Sequence, residues 1–346
     1  MLKVRKMMQK LKQALSFDDV LLEPQRSDIE SRSEVDITSC ISDTEFSLPV
    51  ISSPMDTVTG SEMATSMWMA GGFGVLHRYN SIPDQVRLVM KTRAKTPYVA
   101  AAIGVTGDYI ERAAALVGAG ASLLCIDVAH GHHTNVERAI KSLKDRFEET
   151  ISIMAGNVAT EDAFEELQDW GADSIRVGVG GGSICSTRIQ TAHGIPTFQS
   201  VLDCGKVANH AKIIADGGIR NAGDVVKSLA AGADFVMLGS MLAGTSESPG
   251  EVFQSTDGNK YKVYRGMASV EAQVDWRGRA SSLEGVSTTI PYKGSVDQIL
   301  SDLARNVRSG FSYTGARSVK EFRNKVKMIR QTQAGMRESF THILLK

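Results

Sequence analysis

An excess of charge of either sign is missing from this 346-residue sequence: 39 Lys and Arg stand against 39 Asp and Glu, a formal net charge of zero. That balance leaves no electrostatic footprint for nucleic acid. No apolar run approaches the ~18 residues of a membrane span, so no membrane partner is expected. The first fifteen residues, MLKVRKMMQKLKQAL, are basic and amphipathic, but they lack the apolar core and small-residue cleavage site of a signal peptide. Cysteine is scarce and scattered. Cys40, Cys125, Cys185 and Cys204 form no CxxC pair, which excludes a zinc ribbon or a disulfide framework. The pattern fits a reducing cytoplasm, where a lone cysteine is free for catalysis. Aromatic residues make up only 6%, while glycine is plentiful at 32. With 42% hydrophobic and 23% charged residues the composition is that of an ordinary folded protein rather than a disordered one.

Eight short apolar runs recur, separated by helix-like segments. They are Leu48–Met55, Gly72–His77, Tyr98–Val105, Ser122–Ala129, Ile151–Val158, Ser174–Gly180, Lys212–Ile219 and Asp234–Ser240. Each is too short for a globular helix and has Gly, Asp, Asn, Ser or His at or near its end. Continuously apolar strands imply burial on both faces, hence a parallel sheet. Amphipathic stretches such as Tyr109–Val117, Glu161–Trp170 and Gly223–Ala231 lie between them. A Gly-Ala pair precedes three of the strands (Gly120-Ala121, Gly171-Ala172, Gly232-Ala233), where glycine closes a helix and turns the chain. Strict alternation of eight strands with helices predicts an α/β fold, a (β/α)8 TIM barrel, as one domain over 1–346. An open doubly wound sheet is the runner-up. Ser16–Arg32 reads as an irregular extension. After strand eight, Thr245–Gly294 shows little periodicity beyond a hairpin signal at Asp257-Gly258, and a long insertion there predicts an active-site flap over about 266–294. Val296–Met328 returns to helical periodicity.

In such a barrel the active site lies at the carboxyl ends of the strands. The loop after strand six, GVGGGSICSTR (Gly178–Arg188), combines backbone that can approach a ligand closely with Cys185, a candidate nucleophile. A small buried hydrophobe is the competing reading of Cys185. Glycine-rich turns after strands seven and eight (Asp216-Gly217-Gly218 and Gly239-Ser240) suit a phosphate. Asp216 suits a ribose diol, with a helix N-cap as the alternative. His130, His132 and His133 invite a metal reading, but no carboxylate or cysteine set accompanies them, and a plain loop is the simpler expectation.

The motifs FDDVLLEP (Phe17–Pro24), SSPMDTVT (Ser52–Thr59), AAIGVTGD (Ala101–Asp108), DVAHGH (Asp127–His132), AGNVAT (Ala155–Thr160), GGGSICSTR (Gly180–Arg188), ADGGIR (Ala215–Arg220), MLGSMLAG (Met237–Gly244) and YRGMAS (Tyr264–Ser269) resemble the IMP dehydrogenase/GMP reductase family over nearly the whole chain. The resemblance implies a cytoplasmic homotetramer acting at C2 of a purine nucleoside monophosphate with NAD or NADP and a monovalent cation, potassium. It makes Cys185 the nucleophile and Thr187 its partner in handling water or ammonia. Ser53, Met55, Asn157 and Ser183 would line the nucleotide pocket. Asp216 would bind ribose, and Gly218, Gly239, Ser240 and Tyr264 the phosphate. Gly266, Met267 and Glu284 would face the purine edge. Asp127, with Val128 and Gly178, would meet the cofactor. The backbone of Gly178, Gly180 and Cys185 would hold the cation.

The motifs divide over the branch. The family's dehydrogenases usually carry an Arg-Tyr pair on the flap to activate water. Here Val274–Glu284 (VDWRGRASSLE) has none, leaving Arg277 or Arg279 as substitutes. Its reductases place a Glu directly after GMxS. Here Val270 stands there and Glu271 follows, the candidate acid for the leaving ammonia. No inserted regulatory module separates strands two and three, and Val128 resembles reductases. SSPMDTVT, AAIGVTGD, YRGMAS, EGVSTTIPYKG (Glu284–Gly294) and AGMRES (Ala334–Ser339) resemble dehydrogenases. The sequence therefore reads first as an IMP dehydrogenase, with GMP reductase as the alternative. A different phosphate-binding barrel enzyme would not explain Cys185. A non-catalytic relative would not keep Cys185, Thr187 and Asp216 together.

Overall fold

In the computed structural model, which describes residues 11–256, 258–280 and 283–341, eight parallel strands close into a barrel. They are β1 (Val50–Ser52), β2 (Phe73–Leu76), β3 (Ala100–Ile103), β4 (Leu123–Asp127), β5 (Ser152–Val158), β6 (Ser174–Val177), β7 (Lys212–Asp216) and β8 (Phe235–Leu238). Each falls inside one of the eight apolar runs. Sequential neighbours pair, and β8 closes on β1 with Val236 opposite Val50 and Met237 opposite Ile51. Closure excludes the open sheet.

The period of two sorts each strand's side chains between two apolar layers. Ile51, Phe73, Val75, Ala100, Ala102, Leu123, Cys125, Met154, Ile214, Phe235 and Met237 fill the barrel interior. Their sequence neighbours, among them Val50, Leu76, Ala101, Leu124, Ile153, Ile175, Ile213 and Val236, face the helices. The ring comprises α1 (Ser61–Met69), α2 (Ile82–Arg93), α3 (Tyr109–Gly118), α4 (Thr134–Phe147), α5 (Glu161–Asp169), α6 (Thr197–Val207), α7 (Ala222–Ala230), α8 (Val270–Arg277, on the flap) and α9 (Val296–Ser312). Side-chain caps start several of them: Ser81, Thr160, Asn221, Ser269 and Ser295 each accept from a first-turn N–H. The Gly-Ala pairs act as expected. Gly120, Gly171 and Gly232 have φ of +100°, +106° and +117°, which a side chain would strain.

Three parts of the chain are more ordered than the sequence suggested. In Ser16–Arg32, read as irregular, Val20–Leu22 forms a strand antiparallel to Met328–Arg330 near the other end of the chain. A hairpin, Ser39–Ile41 with Thr44–Phe46, plugs the barrel floor. There Phe46 packs on Phe73, Tyr98 and Phe235, with ring centroids 4.7, 5.1 and 5.7 Å away. The segment after β8 holds a three-stranded sheet, β9 (Phe253–Gln254), β10 (Lys260–Arg265) and β11 (Ser287–Pro291), as well as α8. The expected hairpin is the β9–β10 pair; Asp257 of its turn lies outside the described residues. Only Ala272 and Gln273 of α8 are buried, so the helix carries almost no apolar periodicity to read.

Candidate active site

A cavity of about 280 Å³ opens at the carboxyl ends of the barrel strands. Its floor is made by strand ends and its roof by the flap. The Cys185 loop is held by its own turn, Cys185 N donating to Gly182 O at 3.1 Å, and by backbone pairing with the flap. Ser186 N donates to Glu284 O at 3.0 Å, Val286 N to Ile184 O at 3.0 Å, and Gly266 N to Val286 O at 3.0 Å. A side chain at Gly285 would come within 2.7 Å of Ser269 N, so the close approach needs glycine.

That register delivers Glu284 to the nucleophile. Cys185 Sγ lies 3.1 Å from Thr187 Oγ1, to which it donates. Thr187 Oγ1 donates in turn to Glu284 Oε2 at 2.8 Å. The three side chains form an unbroken proton route from thiol to carboxylate. The sequence reading set Glu284 at the purine edge and missed this link, because 97 residues separate it from Thr187.

On the opposite wall Asp216, at the end of β7, accepts on Oδ2 from Asn157 Nδ2 (2.8 Å) and from Arg176 Nε and Nη2 (3.2 and 2.9 Å). It is not a helix cap; Asn221 caps α7. Asn157 also donates to Gly178 O at 2.9 Å. Arg176 reaches the other way to Asp127 Oδ1, at 2.6 Å. Burial opposes its charge, but the carboxylates of Asp216 and Asp127 hold its pKa well above the ordinary arginine value. Arg176 was not anticipated. The available signal was a charge inside the apolar strand SIRV, which in a two-sided parallel sheet must find a partner.

The far end is built from tight backbone. Gly217 and Gly218 have φ of +89° and +78°, and Gly239 sits 3.2 Å, measured from a built Cβ, from the Tyr264 hydroxyl. Burial pushes the Tyr264 phenol above its usual pKa. The other end of the cavity holds Arg78 and Tyr79. Arg78 donates from Nη2 to Asp127 O at 3.0 Å, and its buried Nε has no hydrogen-bond partner. Tyr79 stacks on Trp276 of α8, centroids 4.3 Å apart.

Of the residues singled out in the sequence, Ser53, Met55, Asp127, Val128, Asn157, Gly178, Gly180, Ser183, Cys185, Thr187, Asp216, Gly218, Gly239, Ser240, Tyr264, Gly266, Met267 and Glu284 all line this one cavity. Glu271, Arg277 and Arg279 do not. All three are exposed on or beside α8, and the Arg277 guanidinium lies over the Trp276 ring at 4.1 Å. They stand as surface groups of the flap and are not brought to the cavity wall. The histidines serve the loop: His133 Nδ1 caps α4 and His132 meets Glu166 at 3.0 Å.

The model of the IMP dehydrogenase / GMP reductase domain matches residues 14–342. The chain belongs to the IMP dehydrogenase/GMP reductase family. Its members, including this chain, are oxidoreductases. Among its relatives, human GMP reductase 2 is 39% identical across 92% of this chain and 94% of its own length. An IMP dehydrogenase of Cryptosporidium parvum is 37% identical across 95% and 94%. One from Nitrosopumilus maritimus is 32% identical across 96% and 99%. A GMP reductase variant of Trypanosoma brucei, solved in complex with guanosine 5'-monophosphate, superposes with a TM-score of 0.92 at 30% identity, covering 97% of this chain and 99% of that one. Both activities of the family thus occur among the sequence relatives, and the structural neighbour is a GMP reductase.

Proposed function

We propose that the chain works at C2 of a purine nucleoside monophosphate through Cys185, in the reductase direction, converting GMP to IMP and ammonia. The observation that carries the chemistry at C2, in either direction, is the Cys185–Thr187–Glu284 relay, the acid–base group in direct contact with the nucleophile. Asp216 Oδ1, left without a partner among the described residues, accepts from the ribose diol. The backbone at Gly218, Gly239 and Ser240, with the Tyr264 hydroxyl, holds the phosphate. Ser53, Met55, Asn157 and Ser183 shape the pocket, and Gly266 and Met267 face the base.

The thiol gives its proton through Thr187 toward Glu284, and the thiolate adds to C2. The 2-amino group leaves as ammonia with the proton returned by the same route, and a thioimidate to Cys185 remains. Hydride addition at C2 expels the thiolate and releases IMP. Arg78 Nε, which makes no hydrogen bond, together with Asp127 and Val128, fits a nicotinamide dinucleotide at the open end of the cavity. When bound, the reduced cofactor, NADPH or NADH, supplies the hydride. A monovalent cation, potassium, would rest on the carbonyls of Gly180 and Cys185 with Gly178, which already accepts from Asn157. A cytoplasmic homotetramer belongs to the same reading; among the described residues no helix is long and apolar enough to cross a membrane.

The dehydrogenase reading keeps its own support. The relay can equally take a proton from water attacking the thioimidate, and IMP dehydrogenases are among the relatives. What favours the reductase is that Arg277 and Arg279 stand outside the cavity, so among the described residues neither of these flap arginines accompanies the relay. The test is to supply GMP with NADPH, and separately IMP with NAD⁺, and follow absorbance of the reduced cofactor. Loss of NADPH with one ammonia released per turnover supports the proposal. NADH formed from IMP, with no reaction of GMP, overturns the direction.

A further inference from the structure

Arg176 enters neither the chemistry above nor the binding of either ligand by direct contact, yet it is the most heavily committed charge in the cavity wall. It projects from β6 with 7% of its side chain exposed and bonds the carboxylates at the ends of two other strands. Asp216 lies on the neighbouring strand β7, whereas Asp127 lies on β4, two strands away across β5. The crossing is possible because β5 carries Gly156 opposite Arg176: a Cβ there would come within 2.6 Å of Arg176 Cβ and 2.8 Å of its carbonyl oxygen.

The bonds also divide each carboxylate. Arg176 and Asn157 all converge on Asp216 Oδ2. Arg176 Nη1 takes Asp127 Oδ1, while Asp127 Oδ2 has only a distant ion pair, 3.6 Å from Arg78 Nε. Each acid therefore spends one oxygen on Arg176 and keeps the other for the cavity. The other titratable groups facing the guanidinium are Cys125, whose Sγ is 3.8 Å from Nη1, and Arg78 beyond Asp127. Burial pushes the Cys125 thiol up to about 12, so it stays neutral.

We propose that Arg176 is a positioning residue shared by both ligand sites: one buried guanidinium fixes Asp216 so that its free oxygen is aimed at the nucleotide ribose, and fixes Asp127 so that its free oxygen is aimed at the dinucleotide. The inference deepens the functional reading and rests on it. Two acids at opposite ends of the cavity would otherwise each need a partner of its own. With Arg176 removed, both would lose the donor that fixes one oxygen, and neither side chain would be held in its present direction.

The test is Arg176→Met and Arg176→Lys, with KM for nucleotide and for cofactor measured separately. Arg176→Met is expected to raise both constants, each by about 10- to 100-fold, the cost of a lost charge-assisted partner, with kcat reduced less. Arg176→Lys keeps the charge but has a single point donor. It should recover one constant and leave the other raised. A change in only one KM for Arg176→Met, or a loss of kcat with both constants unmoved, overturns the proposal. Should thermal melting show that Arg176→Met does not fold, Arg176→Lys decides: both constants unchanged overturns it. Wild-type protein that turns over neither GMP nor IMP refutes the functional reading instead, a result distinct from active protein with insensitive variants.

Discussion

Replacing Glu284 by Gln removes one proton site and little else. The side chain keeps its length, its place at the backbone pairing of Ser186 with residue 284, and a hydrogen-bonding atom for Thr187 at 2.8 Å. What disappears is the end of the route that runs from Cys185 Sγ through Thr187, a first link of 3.1 Å. A positioned acid or base contributes about 10²- to 10⁴-fold to a proton-transfer step. At 1.36 kcal/mol for each factor of ten, that is roughly 2.7–5.5 kcal/mol of barrier. Ground-state binding rests on the ribose and phosphate ends of the cavity, so KM for the nucleotide should move little. Steady-state assays of Glu284→Gln should therefore show kcat and kcat/KM falling together. Thr187→Val, which breaks both links of the relay, should give a loss of similar size, and the double variant should lose scarcely more than either single one, because the two act as a unit. A Glu284→Gln enzyme that retained more than about a tenth of wild-type kcat would refute the relay. So would single losses that simply multiply.

Four further expectations follow from the same geometry. Cys185→Ala should abolish turnover while calorimetry still shows nucleotide binding; appreciable residual turnover would remove the covalent step. Asp216→Ala should raise the nucleotide KM by about 10- to 150-fold, equivalent to ~1.5–3 kcal/mol for a lost charge-assisted acceptor; an unchanged KM would deny it the ribose. Arg277→Ala and Arg279→Ala should leave kcat within about threefold, since proton-transfer groups matter by their reach; a larger fall in either would bring the flap arginines back into the chemistry. His77 is held by burial below its ordinary pKa, although Asp56 opposes this. The unfolded chain then binds the proton more readily, so stability should fall as pH drops through about 6.5 toward the lower folded value. Melting temperature against pH should show that slope, flattened in His77→Gln; a slope unchanged by the substitution would assign it elsewhere.

The barrel was legible because its eight strands are apolar on both faces and the helices between them are punctuated by Gly-Ala pairs. Phe46 was not, since a three-residue strand in a polar hairpin gives no signal of the cluster it completes with Phe73, Tyr98 and Phe235. Most of the cavity wall was legible as motif residues at strand ends. The links across the cavity were not. Thr187 and Glu284 meet only because the flap pairs with the Cys185 loop, and Arg176 spans β5 only because residue 156 is glycine. That Glu271, Arg277 and Arg279 stand outside the cavity lining was not legible either, because a place in the flap sequence does not say which way a side chain points.

The covalent bond itself is the thing to observe. Wild-type protein should be mixed with GMP, and in parallel with IMP and NAD⁺, quenched in acid and digested, and the cysteine-containing peptides weighed. The peptide carrying Cys185 should gain the mass of GMP less ammonia, or of IMP less two hydrogens (the hydride passed to NAD⁺ and the thiol proton), and the two adducts should be the same thioimidate. Added NADPH should discharge it to IMP. Peptides bearing Cys40, Cys125 and Cys204 should stay unmodified. An active enzyme that shows no adduct on Cys185 under either condition, or carries it on another cysteine, would contradict the mechanism proposed for this site.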